Sequence, residues 1–185
     1  MRLDMRIVAG KHRGMVLYEF DADNIRPTID RVRESIFNKI QFGVTGSVVL
    51  DLFCGTGAVS LEFLSRGAER VVSVDSDPRS IALTRKNFAK AKEHGEILQL
   101  DYMTALDRLN GIKFDYIFLD PPYDSDMAEL AMSMVSKSSM LQDDGIIIYE
   151  HLVGKEFNLP ANLELIDEKK YGTVAVSYIR NKSND

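Results

Sequence analysis

A short apolar segment ends abruptly at the tetrapeptide formed by residues 120–123, Asp-Pro-Pro-Tyr. Proline has no backbone N–H to donate within a sheet, so Pro121 must end the strand, and its ring restricts Asp120 to extended backbone. Pro122 restricts φ a second time. The sequence therefore predicts a stiff corner at the carboxyl end of a strand, which carries the Asp120 carboxylate and the Tyr123 ring. In open α/β sheets, ligands bind at this edge.

Apolar segments and amphipathic segments alternate along most of the chain. This alternation predicts parallel βαβ units, and two further apolar segments joined through Gly172 predict an antiparallel hairpin at the C-terminal end. We therefore expect an α/β, Rossmann-like fold with a mostly parallel seven-stranded sheet. The strands are predicted at 48–51, 71–75, 97–100, 114–120, 146–149, 163–171 and 173–180, and the helices of the alternating part at 58–65, 78–93, 103–109 and 127–136.

The first 45 residues precede this alternation and are predicted to form a small extension of a main domain at 46–185. Two apolar runs between Met5 and Phe20 flank a basic, glycine-bounded tip, which predicts a β-hairpin. Residues 30–40 predict a helix capped by Thr28 or Asp30. Its apolar face is expected to hold Val32, Ile36, Phe37 and Ile40, while Arg31, Arg33, Glu34 and Lys39 lie off that face.

Charge is distributed unevenly between these two parts. The net charge is −5, but residues 1–41 carry eight Lys or Arg against six acids, a net +2, which leaves −7 for the remainder. A basic arm on an acidic body is compatible with a polyanion that docks at one end, although a solvated surface of mixed charge would look the same. The groups that would contact a nucleic acid are Arg6, Lys11, His12, Arg13, Arg31 and Arg33.

The sequence does not indicate a disulfide-linked, membrane-spanning or metal-binding protein. The single cysteine, Cys54, cannot form an intrachain disulfide, which fits a reducing cytoplasm. There is no run of about 18 apolar residues, so we expect no membrane span. The three histidines, His12, His94 and His151, lack metal-ligand spacing, and no metal is predicted.

A glycine-containing turn, residues 51–57, follows the first predicted strand of the main domain and opens a helix. Glycines allow close backbone approach to a ligand, and a helix start offers free N–H groups. The turn is not a G-x-G-x-x-G dinucleotide motif, because residue 60 is serine. It resembles the D-x-F-x-G-x-G motif of S-adenosylmethionine-dependent methyltransferases. Cys54 within it is interpreted as a packing residue.

Four predicted strands in the parallel part of the sheet end in Asp51, Asp75, Asp101 and Asp120. Any one of these acids could cap a helix, but four at one sheet edge point to a nucleoside-type cofactor. Asp75 could accept hydrogen bonds from the ribose hydroxyls, and Asp101 could accept one from a purine amino group. At the proline corner, Asp120 and a proline carbonyl could hold the protons of an exocyclic amino group while Tyr123 stacks on the base.

Taken together, these motifs resemble the bacterial RsmD-type methyltransferases, which methylate N2 of one guanine in 16S ribosomal RNA. The resemblance covers nearly the whole chain, and its most specific part is residues 26–38. It implies a class I methyltransferase fold, S-adenosylmethionine as cofactor, and 16S rRNA, the small ribosomal subunit or its assembly intermediate as partner, without an obligate protein partner. The implied catalytic residues are Asp120, Pro121, Pro122 and Tyr123, and the implied cofactor-binding residues are Arg26, Thr28, Asp51, Phe53, Gly55, Gly57, Asp75, Asp101, Tyr102 and Asp120. Asp75 departs from the family by replacing the commoner glutamate.

Three alternatives remain open at this point. An adenine-N6 methyltransferase on RNA or DNA could use the same corner, although 185 residues leave no room for a separate target-recognition domain. A protein-glutamine methyltransferase would usually carry asparagine in place of Asp120. The third is a non-enzymatic, cofactor-binding scaffold for ribosome assembly, which the intact corner argues against.

Overall fold

The computed structural model describes residues 4–20 and 28–183. In this part of the chain, strands and helices alternate as the sequence predicts, and a 3-10 turn at Gln41–Gly43 separates the first helix from the first strand. The helices are α1 (Thr28–Ile40), α2 (Ala58–Ser65), α3 (Pro78–Ala91), α4 (Tyr102–Arg108) and α5 (Met127–Lys137). The strands are β1 (Val48–Asp51), β2 (Arg70–Asp75), β3 (Glu96–Gln99), β4 (Phe114–Leu119), β5 (Leu141–Leu152), β6 (Leu163–Tyr171) and β7 (Val174–Asn181).

The seven strands form one sheet in the order β3-β2-β1-β4-β5-β7-β6. The pairs from β3 to β5 are parallel, and β7 is antiparallel to both β5 and β6. The predicted fold class, a mostly parallel sheet with an antiparallel C-terminal hairpin, is confirmed. The carboxyl ends of β1 to β4 therefore meet at one edge, which is where the four aspartates were expected.

Each face of the sheet has its own core, because side chains alternate along the strands. Phe118 and Ile148 face a first core that includes residues of α1, α2 and α3. Leu119 and Tyr149, one position further along their strands, face a second core formed with α4 and α5. Because a core covers each face of the sheet, the central strands are apolar at nearly every position.

The N-terminal segment packs into the first core. Residues 6 and 16 form an antiparallel bridge, and the amide of Ile7 donates to the carbonyl of Met15, so the predicted hairpin forms, although its regular pairing is short. The buried carboxylate of Glu62 in α2 accepts hydrogen bonds from the backbone amides of Val8 (2.8 Å) and Ala9 (3.0 Å). The extension is thus anchored to the main domain, and a boundary near residue 45 stays a prediction.

The prediction that Arg33 lies off the apolar face of α1 and contacts a nucleic acid is wrong. Its side chain is buried, with 3% of its surface exposed. The guanidinium donates to the carbonyl of Arg6 and to Asp30 (2.8 Å), and it lies 3.7 Å from Glu62. Because the hairpin and α2 cover this side of α1, Arg33 joins these elements internally and is not available to a phosphate.

The bounds of helix α1 and of strand β5 also differ from the prediction. Helix α1 begins at Thr28, so Asp30 lies inside its first turn and does not cap it. Strand β5 begins at Leu141, five residues earlier than its apolar centre suggests, and continues past Tyr149 to Leu152. The longer β5 places Glu150 beside the proline corner.

Candidate active site

Two adjoining cavities lie along the carboxyl edge of the sheet. The larger cavity, of about 740 Å³, extends from Asp75 and Asp101 to the proline corner. The smaller cavity, of about 280 Å³, lies below the N-terminal arm on the side of the first core. Both are lined by Phe53, Gly55, Asp120 and Tyr123, so the predicted catalytic corner stands where the two cavities meet.

Both glycines of the turn at residues 51–57 have positive φ angles. Gly57 has φ +78°, and a Cβ atom there would come within 2.9 Å of the Thr84 side chain. Gly55 has φ +53°, but a Cβ atom on it would meet no atom within 4 Å, because it faces open space in the cavities. The first glycine after Cys54 thus leaves room for a ligand, whereas Gly57 permits close packing on α3.

Asp75 organises the loops around the larger cavity. One carboxylate oxygen accepts the amide of Gly55 (3.0 Å) and the other accepts the amide of Asp77 (2.9 Å). Asp77 in turn caps α3, with Pro78 in the first turn. Since each carboxylate oxygen can accept a further hydrogen bond, Asp75 can hold the glycine turn and still bind ribose hydroxyls.

Asp101 serves as the N-cap of α4 in this structure. Its two oxygens accept the amide (3.0 Å) and the hydroxyl (2.6 Å) of Thr104, and these bonds lower the pKa of Asp101. The predicted role beside a purine is untested, but the carboxylate lines the larger cavity. Tyr102 and Phe53 lie next to it, with ring centroids 5.8 Å apart, and supply the apolar part of the wall.

Asp51 is almost completely buried at the end of β1. One oxygen accepts the hydroxyl of Ser60 (2.6 Å), while the other, Oδ1, has no hydrogen-bond partner among the described residues. Burial raises the pKa of Asp51 to about 7, although the Ser60 hydrogen bond acts in the opposite direction. An unpartnered buried carboxylate oxygen at a cavity wall is suited to accept a donor from a ligand.

Asp120 and Tyr123 occupy the positions that the proline corner predicts. Restricted hydration in the cleft raises the pKa of Asp120 well above its ordinary value, and the nearby carboxylates of Glu150 and Asp51 raise it further. The Asp120 side chain remains open to the cleft, so water moderates this shift. The Tyr123 hydroxyl donates to Glu150 Oε1 (3.2 Å), and Lys155 Nζ donates to the Tyr123 carbonyl (2.6 Å).

Cys54 is buried in the glycine turn, and its sulfur lies 3.5 Å from the hydroxyl of Thr84. Burial strongly raises the pKa of the thiol, and the Asp51 carboxylate adds to this effect. A thiol held in its protonated form is a poor nucleophile, which agrees with its interpretation as a packing residue.

The basic residues of the N-terminal arm are only partly free for a polyanion. Lys11 and His12 both contact Glu93, at 2.5 Å and 2.6 Å, and these contacts lower the pKa of Glu93 against the effect of its burial. Arg13 and Arg31 are exposed, and Arg6 lies 3.9 Å from Asp4. Arg26 lies outside the described residues, and of Thr28 only the backbone is described.

Four further residues near the site were not predicted from the sequence. Lys86 and Lys90 of α3 lie over the ring of Tyr18, with Nζ atoms 3.9 Å and 4.7 Å from its centroid, so α3 extends the basic surface of the hairpin. The i, i+4 spacing of Lys86 and Lys90 could have indicated that both lie on one face of the predicted helix. Glu150 and Asn87 gave no local signal, because their partners lie 27 and 69 residues away in the sequence.

Further properties of the described structure concern membrane spans, metal-binding clusters and cavities outside the candidate site. Within residues 4–20 and 28–183, no helix is long and apolar enough to cross a membrane, and no cluster of His, Cys, Asp and Glu could hold a metal ion. Another cavity, of about 640 Å³, lies at the opposite end of β5 near Lys113, Asp143 and Asn181 and contains none of the predicted site residues.

Comparisons with known proteins agree with this architecture. A family model described as Conserved hypothetical protein 95 matches residues 5–180. Ribosomal RNA small subunit methyltransferase D of Haemophilus influenzae is 33% identical over 182 residues, covering 96% of this chain and 94% of that protein. The protein of the same name from Escherichia coli K12 is 32% identical over 173 residues, covering 92% and 87%. The solved structure of the proposed Escherichia coli methyltransferase yhhF superposes with a TM-score of 0.86 at 29% identity, covering 97% of this chain and 98% of that one.

Proposed function

The chain belongs to the Conserved hypothetical protein 95 family, that of the RsmD-type methyltransferases, and on this premise we propose that it methylates ribosomal RNA with S-adenosylmethionine. More specifically, we propose the exocyclic N2 amino group of one guanine in 16S rRNA as the acceptor. The observation that carries the proposal is the position of Asp120 and Tyr123 between two cavities, one lined by Asp75 and Asp101 and one beneath the N-terminal arm.

The residues around the larger cavity fit the cofactor. S-adenosylmethionine is a nucleoside that carries a cationic methylsulfonium and an amino acid tail with an ammonium group, and it supplies the methyl group. Asp51 lines the adjoining smaller cavity, and its unpartnered Oδ1 fits a donor or cation. Gly55 lines both cavities and leaves open space there. Asp75 would hold the ribose, and Asp101, Tyr102 and Phe53 would surround the base. Arg26 and Thr28 are proposed to close the site, as the family resemblance implies.

The proline corner is proposed to orient the acceptor. The lone pair of an exocyclic amino group is conjugated with the base, so the nitrogen is a poor nucleophile. Asp120 and a proline carbonyl would accept its protons and direct the lone pair, while Tyr123 stacks on the base. When the nitrogen gains a methyl group it must lose one proton, which passes to Asp120 or water. The raised pKa of Asp120 suits it to receive that proton.

The RNA is proposed to approach across the hairpin and α3. Arg13 is exposed at the hairpin tip, Lys86 and Lys90 lie over Tyr18 of the same arm, and Lys11 and His12 contact Glu93. Together these residues are proposed to form the basic surface. Arg6 and Arg31 could extend it, whereas Arg33 is excluded by its burial. The names of the relatives support the small ribosomal subunit, or an assembly intermediate of it, as the partner, and such a substrate implies a cytoplasmic location.

Product analysis tests this function. Purified protein with labelled S-adenosylmethionine should label immature small subunits or 16S rRNA and leave DNA unlabelled. Nuclease digestion and mass spectrometry should then identify N2-methylguanosine, and Asp120→Ala should serve as the inactive control. N6-methyladenosine as the product would support the adenine alternative, and labelled protein without labelled RNA would support glutamine methylation.

A further inference from the structure

The register of β4 against β5 places a second carboxylate, that of Glu150, beside Asp120. Strands β4 and β5 are parallel, and Leu119 pairs with Tyr149, so Asp120 and Glu150 are the next neighbours along the two chains. Leu119 and Tyr149 face the second core, whereas Phe118 and Ile148 face the first. By alternation, the side chains of Asp120 and Glu150 turn to the first-core side, where both line the smaller cavity.

The surroundings of Glu150 favour a ligand that donates hydrogen bonds. Apolar residues such as Phe20, Ile36 and Phe118 line the smaller cavity together with three carboxylates, those of Asp51, Asp120 and Glu150. Asp51 lines the same wall, and its buried Oδ1 has no hydrogen-bond partner among the described residues. The cationic side chain that lines the described part of the cavity is Arg33, and its charge is already opposed by Asp30 and Glu62.

Tyr123 holds Glu150 in place from the proline corner. Its hydroxyl donates to Oε1, which leaves Oε2 for another donor. Burial raises the pKa of Glu150, and this hydrogen bond opposes the shift. A ligand donor at Oε2 would favour the ionised form further, so a hydrogen-bond donor from the base would bind best in this position.

We propose that Glu150 is a specificity-determining residue that accepts the N1–H of the target guanine while Asp120 accepts an N2 proton. This inference rests on the proposed guanine-N2 function. The Watson–Crick edge of guanine presents N1–H directly beside the N2 amino group, so two neighbouring carboxylates match two neighbouring donors. Adenine presents the N1 lone pair beside its N6 amino group. An ionised carboxylate accepts only, and it would repel that lone pair.

The base analogue 2-aminopurine tests the assignment, because it keeps the N2 amino group and lacks both N1–H and O6. Small subunits reconstituted with guanine or 2-aminopurine at the methylated position would be compared by kcat/KM. We expect the wild-type enzyme to prefer guanine by about 10- to 100-fold, the range that one or two base hydrogen bonds give. In Glu150→Gln the preference should fall about tenfold, because the amide can donate to N1 of 2-aminopurine. The O6 contribution is common to both enzymes and cancels in this comparison.

Controls separate recognition from folding. Glu150→Asp should retain the preference for guanine at a lower rate, and Glu156→Gln, an exposed change on the loop after β5, should behave like the wild type. Cofactor affinity of Glu150→Gln should equal that of the wild type. An unchanged guanine preference in Glu150→Gln, or a wild type that methylates both bases equally, would overturn the assignment while N2-methylguanosine remains the product. A different methylated base in the wild-type product would instead overturn the proposed function.

Discussion

The side-chain amide of Asn87 on α3 pairs with both backbone groups of Tyr18 on the N-terminal arm. Its oxygen accepts the Tyr18 amide (2.7 Å), and its nitrogen donates to the Tyr18 carbonyl (3.0 Å). The same nitrogen donates to the carbonyl of Thr56 in the glycine turn (2.9 Å). One buried amide therefore joins the arm that covers the smaller cavity to the loop that lines both cavities.

Replacement of Asn87 by alanine should destabilise the protein by about 2 kcal/mol, because three backbone groups lose their partner. Urea denaturation measures this change, and hydrogen exchange should show faster exchange at the Tyr18 amide. Asn110→Ala, an exposed change after α4, is the matched control. Equal stability of the two variants would mean that water replaces all three bonds.

Asp120→Ala should reduce the rate of methyl transfer by at least about 100-fold and leave cofactor affinity within about twofold. The reason is that Asp120 is proposed to orient the acceptor, while the remaining cofactor contacts come from other strand ends. Single-turnover transfer and calorimetric titration with the cofactor measure the two effects separately. If the variant no longer binds the cofactor, Asp120 belongs to the cofactor site and its proposed role is wrong.

Two substitutions of Tyr123 should have different effects. Tyr123→Ala removes the ring, and we expect weaker RNA binding by about 1–3 kcal/mol, the usual value of one stacked base. Tyr123→Phe keeps the ring but releases the hydrogen bond to Glu150, so it should retain RNA affinity and lose part of the preference for guanine over 2-aminopurine. Filter binding and the kcat/KM ratio give the two readouts. Similar RNA affinities for both variants would exclude stacking.

Replacement of Lys11 and Arg13 by alanine should weaken RNA binding and reduce the slope of log K against log salt by about 1–2, which is the contribution of one or two phosphate contacts. Lys86→Ala should act in the same direction, since Lys86 shares this surface through Tyr18. Lys137→Ala with Lys182→Ala, at the end of α5 and after β7, provides a control of equal charge. A slope unchanged from the wild type would remove the hairpin from the interface.

Asp51 should make stability depend on pH. Its pKa in the folded state, about 7, exceeds the ordinary value of 3.8, so its contribution is fully present below about pH 4 and is lost as the pH rises through 7. The loss can reach about 4 kcal/mol, at 1.36 kcal/mol per pKa unit. Asp51→Asn lacks this titration. The stability of the wild type relative to this variant should therefore fall between pH 4 and 8 in urea denaturation, and parallel profiles would contradict the raised pKa.

Much of the site could be predicted because its parts lie at strand ends. The order of strands and helices, the position of the glycine turn and the stiff corner before Tyr123 all follow from local patterns. Proline and glycine limit the backbone wherever they stand, and a parallel sheet brings its carboxyl ends to one edge. These local rules were sufficient to bring Asp51, Asp75, Asp101 and Asp120 together.

Other features were decided by contacts between distant segments. Arg33 lies one position from the apolar stripe of α1. It is buried because the hairpin and Glu62 pack against it, and the hairpin is itself held by Glu62, which accepts the amide of Val8, 54 residues away in the sequence. Asn87 looks like an ordinary polar residue of a helix until Tyr18 and Thr56 meet it.

The sequence by itself determined the periodicities, the turns and the chemical groups at the sheet edge, because these depend on a few neighbouring residues. Only the tertiary structure decided that Glu150 lies beside Asp120, since that depends on the register of β4 against β5 and on the length of β5. A shift of one residue in this pairing would turn Glu150 to the other face of the sheet. The corner at Asp120 thus follows from local sequence, whereas its neighbour follows from the packing of the whole sheet.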